Sequence, residues 1–108
     1  MQYALLIYGG CGNSDAAADV AALLARPYVT GWASLHDPES ATTLRTAETG
    51  TLLTDGPFID SKEFLGGLIV IEAENLDGAL ALAQEMQNTR IGGAIEVRPV
   101  RQGRPRDA

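Results

Sequence analysis

His36 and Asp55 are the two residues of this chain singled out for acid-base chemistry, by type and by expected position. His36 is the single histidine, and imidazole is the side chain that changes charge near neutrality without help from its surroundings. Asp55 follows Leu52-Leu53-Thr54, an apolar approach that would strip it of part of its water. Together the two could move a proton. A purely structural reading stands beside this for each: His36 hydrogen-bonds locally to Asp37, and Asp55 builds a turn with Gly56 freeing the backbone. For either residue taken alone, the structural reading outweighs catalysis. Arg45 and Lys62 could anchor a substrate carboxylate, although a surface pair of Lys62 with Glu63 or a salt bridge from Arg45 across a dimer is the blander account. Tyr8 and Trp32 could line a ligand pocket, but aromatics on a buried face more often just pack.

Asp55 opens the densest stretch in the chain, Asp55-Gly56-Pro57-Phe58-Ile59-Asp60-Ser61-Lys62-Glu63-Phe64-Leu65-Gly66-Gly67. Asp-Gly starts a turn, Pro57 stiffens φ and removes a donor, and Phe58 and Leu65 read as apolar pegs that pin the loop down. A loop of this length without periodicity is more often functional than ornamental. Its glycines, Pro57 and Phe58 are most simply architecture; Asp55, then Lys62 and Glu63, are the candidates for chemistry.

The elements that must position these residues fit one domain. The chain has 108 residues, of which 45% are hydrophobic and 20% charged, enough for a single core without staples. Its one cysteine, Cys11, cannot form an internal disulfide, and the apolar run Tyr3 to Tyr8 has no basic region ahead of it, so a soluble cytoplasmic protein is expected. No apolar run approaches the roughly 20 residues that span a bilayer. The formal charge is −6, but residues 101–108 carry +2, which leaves −8 on residues 1–100. An acidic body repels phosphate backbones and weighs against nucleic acid as a partner. Residues 101–108 read as a disordered basic tail after a domain spanning residues 1–100.

Tyr3 to Tyr8 is a continuous apolar run ended by Gly9-Gly10, expected to be a strand buried on both faces. Ser14 then caps a helix carrying Val20, Leu23 and Leu24 and ended by Pro27. Thr30 to His36 predicts a strand with Trp32, Ser34 and His36 on one face. Thr42 to Thr46 and Thr51 to Thr54 form a hairpin around Ala47-Glu48-Thr49-Gly50 that extends the main sheet. Leu68 to Ile71 is a second continuous apolar strand; Asn75 caps a helix with Leu76, Ala79, Leu80, Ala83 and Met86 on its apolar stripe; Ala94 to Arg98 alternates as an edge strand.

Without the hairpin the order is βαββαβ, so the fold class is α+β: a ferredoxin-like antiparallel sheet with both helices on one face. The two doubly apolar strands take the central places. The helices cover one face and nothing in so short a chain is left for the other, so a homodimer packing sheet against sheet is expected. One rim of the sheet would gather Tyr8, the first glycine turn, His36 and the Asp55 to Leu65 loop.

Several signatures are missing. Gly9-Gly10-Cys11-Gly12 lacks the third glycine of a dinucleotide fingerprint and the Gly-Lys-Ser/Thr of a P-loop, and no serine sits in a Gly-x-Ser-x-Gly setting. One His and one Cys make no metal cluster. No cofactor and no metal are expected.

Asp55-Gly56-Pro57-Phe58, followed by Lys62-Glu63 and Leu65-Gly66-Gly67, resembles the DGPF branch of the YCII-related proteins, named for that tetrapeptide. The likeness extends to Tyr3 to Gly9, to Leu35-His36 through Ala41-Thr42-Thr43 and Arg45, to Asp77 with Ala79, and to Glu96-Val97-Arg98-Pro99-Val100, nearly residues 1–100. It implies a dimeric α+β barrel of ferredoxin-like subunits with a histidine-aspartate pair as the suspected active site, here His36 and Asp55. One departure is the short first helix, which leaves the rim more open. Family members also occur as partners or fusions of extracytoplasmic-function sigma factors, which implies a regulatory alternative. The chain therefore reads either as a cofactor-independent acid-base catalyst acting on a small polar metabolite, or as a non-catalytic module that binds a ligand or protein.

Overall fold

A computed structural model describes residues 1–9, 11–12, 17–59 and 63–104, with backbone alone at 11, 12, 17 and 18. In chain order the elements are β1 Gln2–Tyr8, β2 Cys11–Gly12, α1 Ala17–Leu24, β3 Val29–Ser34, β4 Thr42–Ala47, β5 Gly50–Asp55, β6 Leu65–Glu72, α2 Leu76–Gln87, β7 Arg90–Ile91 and β8 Ala94–Pro99. Four of the strands build an antiparallel sheet in the order β3-β6-β1-β8, the ferredoxin-like arrangement. The two continuous apolar runs are the central pair, joined in register from Gln2 opposite Glu72 to Leu6 opposite Leu68.

Alternation along these strands divides the sheet into two unequal faces. Tyr3, Leu5, Ile69 and Ile71 point at the helices and form the core with Val29, Leu23 and four residues of α2. Those four, Ala79, Leu82, Ala83 and Met86, lie at i, i+3, i+4, i+7, so Leu82 takes the core place expected for Leu80, while Leu76 and Leu80 are exposed. Asn75 caps this helix as expected, its Oδ1 accepting from the Gly78 N–H at 3.0 Å. The opposite face presents Ala4, Leu6, Leu68 and Val70, only half-buried, because no helix or strand among the described residues lies over it.

The expected cap of α1, Ser14, lies outside the described residues. Arg26, just past that helix, joins it to α2 by donating to both carboxylate oxygens of Glu85, at 2.5 and 3.2 Å, and to the Tyr28 hydroxyl at 2.7 Å. A short pair, β2 with β7, closes the end of the molecule beyond the first glycine turn and has no signal in the sequence beyond its glycines.

Three expectations shift. β6 begins at Leu65, so Gly66-Gly67 lie inside a strand instead of ending a loop. At Gly67 a Cβ would come within 2.9 Å of the Ala33 carbonyl oxygen, so glycine is what lets β3 and β6 approach there. β3 stops at Ser34, which places His36 beyond the strand, ahead of a 3-10 turn over Pro38–Ser40. The β4–β5 hairpin is a separate two-stranded sheet and not an extension of the main one. Pro38 lacks a ladder donor and its turn carries the chain off the edge of the sheet before pairing resumes at Thr42. No helix among the described residues is long and apolar enough to cross a membrane.

Candidate functional site

Strand directions bring the end of β1, the end of β3 and the start of β6 to one rim. A cavity of about 690 Å³ opens there. Its floor is Tyr8, Leu35 and Leu65, and one wall is the turn from His36 through Pro38 to Ala41. The other wall is Pro57-Phe58-Ile59, with Glu63 and Phe64 between the loop and the sheet. Most of this lining is apolar; the titratable groups in it are His36, Asp37, Tyr8 and Glu63. Such a concave apolar site with a few convergent polar groups is the form small-molecule sites take.

The rim is held by backbone bonds. The Leu35 N–H donates to the Gly66 carbonyl at 2.9 Å, extending the β3–β6 ladder one residue toward His36, and the Gly9 N–H donates to the Phe64 carbonyl at 2.8 Å. The Arg90 guanidinium donates to the carbonyls of Tyr8 and Gly9, clamping the first turn; burial lowers its pKa. At the foot of the hairpin the Gly56 N–H donates to the Ala41 carbonyl at 2.7 Å and the Thr43 hydroxyl to the Gly56 carbonyl at 2.8 Å. Gly56 has φ +104°, a conformation that suits only glycine at this turn, which explains its place after Asp55.

The six residues singled out from the sequence are distributed as follows. His36 and Tyr8 both line the rim cavity, the Tyr8 hydroxyl also donating to Glu96 at 3.4 Å. Asp55 ends β5 opposite Thr42, is exposed, and is not among the lining residues, although Gly56 connects it directly to the Pro57 wall. No hydrogen bond joins His36 to Asp55 among the described residues. Arg45 stacks its guanidinium 4.9 Å from the centre of the Phe58 ring, so it stands behind the wall of the cavity. Trp32 faces elsewhere: it pairs with Ile69 on the helix side and lines a second, largely apolar cavity of about 600 Å³ between α1 and the sheet. Lys62 lies outside the described residues.

Leu35, Ala41 and Phe64 also line the cavity, residues within stretches noted in the sequence but given no site role there; Pro38, between the histidine and the hairpin, was the available clue that the chain turns there. Among the described residues no group of three histidine, cysteine or acidic side chains is close enough to hold a metal ion. The geometry can bind a small molecule between two loops and offer it an imidazole, a phenol and carboxylates.

A protein of Rhizobium meliloti (strain 1021), described as uncharacterized, is 39% identical to the chain over 69 residues, 63% of this chain. The matched region is 56% of that relative's length. Residues 1–104 match the YCII-related domain. With that match over nearly its whole length, the chain belongs to the YCII-related family.

Proposed function

We propose that the rim cavity binds a small metabolite with an apolar body and a polar head, and that His36 transfers a proton at that head. One observation carries the reading: the single histidine lies in the wall of a cavity of about 690 Å³ that is otherwise mostly apolar. Asp55, at the foot of the hairpin and one residue from the Pro57 wall, is the partner carboxylate in this reading, engaging His36 in the substrate complex. Tyr8 contacts the ligand from the floor, and Arg45 or Lys62 is the electrostatic anchor in this reading. Trp32, in the other cavity, takes no part. The chain acts as a homodimer joined through the uncovered sheet face, whose half-buried Ala4, Leu6, Leu68 and Val70 supply the apolar centre of the contact. The assignment to the DGPF branch rests on Asp55-Gly56-Pro57-Phe58.

The test is deuterium exchange. A panel of small oxo acids is incubated with the protein in D₂O, and loss of the acidic C–H signal is followed by proton NMR. Exchange well above the buffer blank is expected for at least one compound, with loss of about 10²-fold or more in His36→Asn and Asp55→Asn. Binding by saturation transfer without any exchange would sink proton transfer. It would support the second reading, a non-catalytic ligand-binding module with a regulatory role, which the lack of a bond between His36 and Asp55 favours.

A further inference from the structure

The β4–β5 hairpin carries leucines on both faces, but among the described residues its own chain engages only one of them. Cross-strand partners share a face, so Thr43, Arg45, Leu52 and Thr54 stand together. On that side Thr43 bonds to Gly56 and Arg45 stacks on Phe58. The other side carries Leu44 directly opposite Leu53, 67% and 72% exposed. No other strand or helix makes a substantial contact with the hairpin among the described residues. A two-stranded ribbon is at best marginally stable alone in water, so this one needs a surface to lie on.

A matching surface lies at the rim. Tyr8 is on the uncovered face of the sheet, since its hydroxyl reaches Glu96, which pairs with Leu6. Leu65 pairs with Tyr8, and Leu35 continues the alternation of Ala33, which pairs with Leu68 on that same face. The floor of the rim cavity is therefore continuous with the apolar patch of Leu6, Leu68 and Val70. A copy of the chain that covers the patch therefore lies beside the cavity. The hairpin is a separate ribbon reached from this rim through the Pro38 turn, and two-fold symmetry makes an arm-to-pocket contact reciprocal and closed.

We infer that the cavity is a composite site, roofed by the hairpin of a second copy of this chain, with Leu44 and Leu53 of the partner subunit closing its mouth over His36. The inference rests on the sheet-to-sheet dimer proposed above and adds that each site is incomplete without the other subunit. The roof excludes water from His36 and limits the ligand to one short enough to lie beneath it.

Mixed dimers test it without any ligand. Chains labelled with ¹³C and ¹⁵N are equilibrated with unlabelled chains, and isotope-filtered NOEs are recorded from the ring protons of His36 and Phe64 to methyl groups of the unlabelled copy. Such NOEs are expected, and they are lost in dimers whose unlabelled copy carries Leu44→Ser and Leu53→Ser. NOEs confined to Leu6, Leu68 and Val70, with none at His36 or Phe64, would overturn the roof while keeping the dimer. A monomer by sedimentation at the same concentration would overturn both. The wild-type spectrum decides the matter even where the double variant does not fold, and neither result bears on proton transfer, which deuterium exchange tests separately.

Discussion

Leu5 and Leu53 are the same side chain in two regions of one molecule. Leu5 sits in β1 with no exposed surface, packed between the sheet and the helices; Leu53 sits in β5 with 72% of its surface in water. The helix side of the sheet is satisfied within a single chain: the core residues line that face, α2 is capped by Asn75, and no buried side-chain nitrogen or oxygen lacks a partner among the described residues. The rim and hairpin hold apolar side chains that the chain leaves uncovered, Leu44, Phe58 and Ile59 among them. Stability resides in the first region. We assign recognition to the second as a proposal, because exposed apolar side chains clustered in this way are the usual mark of a contact surface.

The contrast can be broken most forcefully in the core. Leu5→Ala is expected to cost about 2–5 kcal/mol in urea unfolding, by lost transfer free energy and the cavity left behind; a cost under 1 kcal/mol would mean that the body is not the rigid half. Gly67→Ala tests the close approach of β3 and β6. With its new Cβ 2.9 Å from the Ala33 oxygen, it should cost roughly 1–3 kcal/mol in the same assay through a local backbone shift. On the arm, Leu53→Ser should change the stability of the dilute protein by no more than about 0.5 kcal/mol, the range of an ordinary surface substitution. Raising the protein concentration should open a gap in Tm between wild type and Leu53→Ser, because a covered leucine stabilises only the assembled form. A gap independent of concentration would place Leu53 in the single-chain fold instead.

The smallest effect is expected at Glu85, where Arg26 donates to both carboxylate oxygens and thereby holds the carboxyl below its ordinary 4.5. A carboxyl with a depressed folded pKa adds stability above its unfolded value and loses it as pH falls through the folded one. Glu85→Gln should therefore lower Tm slightly at pH 7, and the gap should close as the solution is acidified below pH 4.5. Both groups are partly exposed, so salt should shrink the gap as well. A gap that widens in acid would assign the effect to packing and not to the ion pair.

The order of the main elements, the two central strands and the Asn75 cap were legible in the sequence, unlike the short β2–β7 pair, because each depends on a run of side chains with a period or on one residue next to its partner. Tyr3 to Tyr8 and Leu68 to Ile71 had to be central, since runs without alternation need cover on both faces. The core place of Leu82 was not legible, because α2 has more leucines than its buried stripe can hold and the angle at which it packs chooses among them. Nor was the detachment of the hairpin: Thr42 to Thr54 pairs equally well within a larger sheet or alone, and only the path imposed by Pro38 separates the cases. His36 and Asp55 could be named from their types, and the DGPF stretch pointed to a rim. Which side of a two-stranded ribbon faces a cavity depends on pleat, twist and the direction in which a loop leaves the sheet. Those are properties of strands already placed against one another, so tertiary structure alone put His36 in the cavity wall, left Asp55 outside the lining and turned Trp32 toward the helices.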